Sequence, residues 1–141
     1  MLSVFGFKKN GNVFYRKNNG VISLIKFRKH TLLQEAFFID FGTYYCDIET
    51  PKGIPNDTKW HLFGNIGNFN PKYRPWIELN STGKQEFIED LDFEFIDRVI
   101  PFLNDLSNIE YLKINLKYVF ESHVVSPRSS KILNSIVKLV Q

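Results

Sequence analysis

A chain of 141 residues that is 43% hydrophobic and 23% charged has the size and composition of one globular domain, which excludes a disordered chain and leaves no need for a second domain. No apolar run approaches the ~20 residues of a membrane-spanning helix, and the opening Met1-Leu2-Ser3-Val4-Phe5-Gly6-Phe7-Lys8-Lys9 lacks the charged-then-apolar order of a secretory signal. Net charge is +3, but residues 1–30 hold seven Lys or Arg and no acid, so a local patch rather than the whole protein is suited to attract an anion.

The first element is a hairpin. Val13-Phe14-Tyr15-Arg16 and Val21 to Arg28 are β-rich runs around Asn18-Asn19-Gly20, whose residues tolerate the positive φ of a tight turn. Alternation sets Val21, Ser23, Ile25 and Phe27 toward a core and Lys26, Arg28 and His30 on the other face. A third strand follows over 36–46 with Phe37, Ile39 and Phe41 on one side, Asp40 on the other, and Cys46 at its end as a buried, inert thiol. The lone cysteine and the missing leader fit a reducing cytoplasm. Pro51, Gly53 and Pro55 mark a loop, Trp60 to Phe69 a fourth strand bent at its glycines, and Trp76-Ile77-Glu78-Leu79 a short fifth.

The period then becomes helical. Thr82 and Gln85 form a capping-box pattern, and Ile88, Leu91, Phe95, Val99, Phe102 and Leu106 recur at spacings of three or four. The acidic run from Glu86 to Asp97 is accounted for by the helix dipole, and Pro101 predicts a kink or break. A second helix is expected to bury Ile109, Leu112, Leu116 and Val119. Ser126-Pro127 reads as the cap and first turn of a last helix bearing Ile132, Leu133, Ile136, Val137 and Val140. The fold class predicted is α+β: one domain over 1–141, an antiparallel meander of four or five strands with helices packed on one face. The 16% aromatic content, including 14 Phe, suits such a sheet.

Chemistry-bearing motifs are sparse. His30, His61 and His123 have no metal-ligand spacing, no phosphate loop or dinucleotide fingerprint is present, and Cys46 has no recognisable base. No catalytic residue, metal or cofactor is therefore expected. Two groups carry binding chemistry instead. Lys26, Arg28 and Lys29, with nearby rings, suit phosphate attraction and stacking, although a solvated hairpin guarded against edge pairing is the plainer reading. Trp60, His61, Arg74 and Trp76 place aromatics and a titratable group on adjacent strands, as a pocket would, although tryptophans in strands usually pack a core.

Four stretches in fixed order also resemble a bacterial family, domain of unknown function 4304. They are Gly6-Phe7-Lys8-Lys9 with Gly11-Asn12-Val13-Phe14-Tyr15, Ile25-Lys26-Phe27-Arg28-Lys29, Phe38-Ile39-Asp40-Phe41-Gly42-Thr43-Tyr44, and His61 with Ile66-Gly67-Asn68-Phe69 before Trp76; Val99-Ile100-Pro101-Phe102 agrees as well. The resemblance covers about residues 4–119 and leaves 121–141 as a helical extension. It implies a longer helix ahead of the Gly6 segment, whereas this sequence starts almost at that segment. It also implies arginines where Phe63 and Asn65 stand, so no role passes from them. The resemblance brings no activity with it. Function is accordingly read as a non-catalytic protein-interaction domain of the bacterial cytoplasm, with a partner such as a toxin and an immunity role. Two alternatives stand beside it: a nucleic-acid binder using the basic hairpin, or a small-molecule binder or enzyme with a pocket near His61 and Trp76.

Overall fold

The computed structural model describes residues 2–33, 35–78 and 84–141. Strands β2 (Val13–Asn18) and β3 (Val21–Lys29) form the expected hairpin, with Asn18 opposite Val21. Asn19 and Gly20 hold φ of 50° and 77°, the left-handed pair that matches a two-residue turn to strand twist. Strand β1 (Lys8–Asn10) pairs with the outer edge of β2, and β4 (Ala36–Tyr45) runs the length of β3. Strands β5 (Leu62–Asn65) and β6 (Ile77–Glu78) both pair with β4, and β7 (Val125–Pro127) pairs with β5. Every pairing is antiparallel. The order is β1-β2-β3-β4-β5-β7 with β6 beside β4, so the described residues hold seven strands where four or five were expected.

The added strands are three-residue runs without a pattern of their own. Val125–Pro127 corrects the expected helix cap: Ser126 pairs with Phe63, and Pro127 is tolerated because β7 lies at the sheet edge. The last helix, α4 (Ser130–Leu139), starts later, where the Ser129 hydroxyl accepts from the Ile132 N–H at 3.2 Å. Cys46 follows β4 rather than lying in it, and is half-buried. Thr82, the expected cap of the capping box with Gln85, lies outside the described residues.

Helices α1 (Lys84–Glu94), α2 (Ile100–Leu106) and α3 (Ile109–Glu121) cover one sheet face. Val21, Ile25, Ile39 and Phe41 from the sheet meet Phe95, Ile100, Leu103, Leu112 and Val119 there. Between α1 and α2 the chain makes a wide π turn over Phe95–Val99, with the Ile100 N–H reaching the Phe95 carbonyl. The break expected at Pro101 is this widened turn, which rearranges the bonds just before a residue that has no N–H to give. It also shifts the apolar phase: Val99, Ile100, Leu103 and Leu106 are buried, whereas Ile88, expected in the stripe, is exposed. Among the described residues no helix is long and apolar enough to cross a membrane.

The opposite sheet face has a smaller core that the single-face expectation missed. Ile22, Leu24, Tyr44 and Trp60 pack together, with Ile54 and Phe63 against them. Gly42 permits the approach, because a Cβ there would come within 2.8 Å of Trp60 Cε3 and collide with the Leu62 carbonyl oxygen. The segment 46–60 thus covers half of this face and leaves the other half open.

Candidate functional site

The open half is built by the ends of β3, β4 and β6. Alternation sends Lys26, Arg28 and His30 to this face and Lys29 to the helix side, where it is exposed. The register sets Phe38 across from Arg28 and Asp40 across from Lys26. Asp40 is only 1% exposed, yet it accepts from Arg28 Nε at 3.0 Å and from Asn65 Nδ2 at 3.0 Å. A buried carboxylate keeps its charge acceptably only with such donors, so the Arg28 side chain is held in one place.

Four rings and cations then meet on the surface. The Arg28 guanidinium carbon lies 4.1 Å from the Phe38 ring centre. His30 stacks on Phe38 at 5.6 Å, and Trp76 meets His30 edge-on at 4.7 Å and Phe38 at 6.5 Å. His30 is fixed by its own loop, because Nδ1 accepts from the Leu32 and Leu33 N–H groups at 3.1 Å each. Trp76 Nε1 donates to Glu78 at 3.0 Å, and Arg74 donates to Asn68 Oδ1 at 2.6 Å. Lys26, at the border with the covered half, lies 3.2 Å from Asp57.

Of the residues singled out from sequence, the fold gathers Lys26, Arg28 and Trp76 around this face, sets Arg74 beside Trp76 in the concavity along β6, and separates the others. Lys29 faces away. Trp60 is wholly buried and donates to the Pro55 carbonyl at 3.0 Å. His61, also buried, accepts from the Tyr45 N–H at Nδ1 over 2.8 Å and stacks on Tyr44 at 4.2 Å. Burial holds its imidazole below the ordinary value, against an opposing pull from Glu49. A concavity of about 400 Å³ lies along β6 instead, lined in part by Arg74, Trp76, Ile77 and Phe87. His30 and Phe38 complete the cluster and were missed as site residues. Only the β3–β4 register, which places Phe38 opposite Arg28, carries that information.

The arrangement suits recognition. Its rings are half-buried and fixed, and its polar groups are committed to neighbours instead of being paired as acid and base. Among the described residues no group of three His, Cys, Asp or Glu is placed to hold a metal. Residues 1–105 match the family described as Domain of unknown function (DUF4304). No curated protein and no solved structure matches the chain.

Proposed function

Because this chain belongs to the DUF4304 family, whose description assigns no activity, we propose its function from the chemistry of its own surface: a non-catalytic domain of the bacterial cytoplasm that binds another protein through the open half of the sheet. The partner proposed is a toxin that the domain neutralises. The observation that carries this reading is the fixed cluster of Arg28, Phe38, His30 and Trp76 on an uncovered sheet face. Tryptophan and arginine dominate interface energies, and rings already held by their neighbours lose little freedom on binding. Leu32, 86% exposed beside this cluster, supplies apolar area at its rim. Stoichiometric blocking needs such a surface and no reaction chemistry.

Co-expression with the toxin-like reading frame nearest to the gene tests the proposal. Growth should be rescued by the wild-type chain and lost with Trp76→Ala. Failure of the wild-type chain to rescue, or full rescue by a Trp76→Ala, Phe38→Ala double variant, overturns it. Nucleic acid is a second reading, favoured by Lys26 and Arg28 sharing this face with three rings and by Arg74 in the concavity beside Trp76. Asp57 and Asp40 already neutralise two of those cations. A single-stranded oligonucleotide bound with steep salt dependence, and lost with Arg74→Ala, would support it over a protein partner.

A further inference from the structure

Helix α1 is amphipathic on its inner side only. Phe87 and Leu91 pack on the main core, and an ordinary covering helix would be polar outward. Here Ile88, Phe93 and Ile96 are 49%, 56% and 48% exposed. Positions 85, 88, 89, 92, 93 and 96 lie on one arc of a helical turn, so these side chains form a single outward face with Glu89 and Asp92 between them. Exposed apolar residues scattered singly are ordinary, but three on one arc present a continuous surface.

The charge around that surface has one sign. Residues 85–97 contain six acids and no Lys or Arg, in a chain whose net charge is +3. Asp90 pairs with Lys72 at 2.7 Å, and the buried Glu94 faces Arg98 at 3.5 Å and accepts from Asn70. Glu86, Glu89, Asp92 and Asp97 enter no ion pair among the described residues. The helix dipole accounts for Glu86 in the first turn. It does not account for Glu89, Asp92 or Asp97, which lie beyond the first turn in a helical run that continues through the π turn into α2, so the dipole explains only part of the acidic run.

We propose that the outward face of α1 is a second docking surface, which takes a basic amphipathic segment of another protein. The three apolar side chains supply desolvated contact, and the carboxylates of Glu86, Glu89, Asp92 and Asp97 select the sign of the occupant. Nucleic acid and anionic membrane are repelled by the same charges. The surface is the outward side of α1, whereas only the inward-facing Phe87 of that helix borders the concavity beside Trp76, so separate variants test the two readings.

The probe is a synthetic amphipathic helical peptide of about 14 residues made of Lys and Leu, titrated into the full chain by calorimetry. Its companions are the same peptide with Glu for Lys and with Ser for Leu. The Lys/Leu peptide should bind at least about tenfold more tightly than either companion. Phe93→Ser with Ile96→Ser, and separately Glu89→Gln with Asp92→Asn, should each weaken it by about tenfold or more. Glu110→Gln with Glu121→Gln on α3, and Trp76→Ala on the sheet, should leave it unchanged. Glu89 and Phe93 on α1 and Ile96 in the π turn are exposed, and Asp92 is half-buried without a hydrogen bond or ion pair among the described residues, so thermal melts should show the variants folded. Equal binding of the Lys/Ser peptide, preference for the Glu/Leu peptide, or indifference to the α1 variants overturns the proposal. Sedimentation showing a dimer of the chain that Phe93→Ser abolishes also overturns it, by making a second copy the occupant.

Discussion

Arg28 illustrates how far a side chain's worth depends on what it touches. Read from alternation alone it is a solvent-facing charge, and an exposed ion pair contributes only ~0–1 kcal/mol. Its partner Asp40, however, is removed from water, and deleting the guanidinium leaves that carboxylate with Asn65 as its remaining donor. Arg28→Ala is therefore expected to destabilise by about 1–3 kcal/mol, and adding Asp40→Asn should recover part of the loss. Urea melts of the two single variants and the double variant measure the coupling. His61 gives a second residue-scale prediction. Its imidazole is lowered from the ordinary 6.5, so around and below that pH the unfolded chain binds a proton that the folded one resists. Stability should be full above about pH 6.5 and fall as the pH drops through the window beneath it. His61→Asn keeps an acceptor for the Tyr45 N–H and removes the titration. It should flatten the change in stability between about pH 7.5 and pH 5, and an unaltered slope would assign that change to other groups.

At the scale of elements, the π turn over Phe95–Val99 decides which side chains matter. Leu103→Ala should cost about 2–5 kcal/mol, whereas Ile88→Ala, half exposed, should stay within about 0.5 kcal/mol of the wild type. The reverse ranking in denaturant melts would restore the uninterrupted stripe read from sequence. The start of α4 offers a comparable contrast: Ser129→Ala should cost about 1 kcal/mol as a lost cap, and Ser126→Ala on the edge strand much less. These cases also show what was legible. The β2–β3 hairpin could be read because Asn19-Gly20 and strict alternation are local signals. Pro101 announced a disturbance, but one residue cannot say whether a helix kinks or widens. Val125–Pro127 was illegible as a strand because its only support, Phe63 opposite Ser126, is distant in sequence. The candidate site was half legible for the same reason: Arg28 and Trp76 have telling side chains, but their meeting through Phe38 and His30 depends on how three strands register.

For the molecule as a whole, the family match and the physical core have different extents. The match ends at residue 105, yet α3, β7 and α4 all follow it and put Leu112, Val119, Val125, Ile136 and Val140 into the main core. Residues 121–141, read from sequence as an extension, are woven into the sheet through β7 on the free edge of β5. Burying an aliphatic side chain contributes ~1.5–3 kcal/mol, so Val125, Ile136 and Val140 together rival a domain's whole net stability of ~5–15 kcal/mol. Ending the chain at Glu121 would strip those contacts and expose the backbone of Leu62 to Gly64 along an open strand edge. The truncated protein is expected to lose its cooperative melt, to bind a hydrophobic dye and to aggregate on concentration, while its far-ultraviolet signal keeps much of the strand and helix content. A truncated chain that melts cooperatively within a few degrees of the full one would make the C-terminal segment an appendage and place the essential core within residues 1–121.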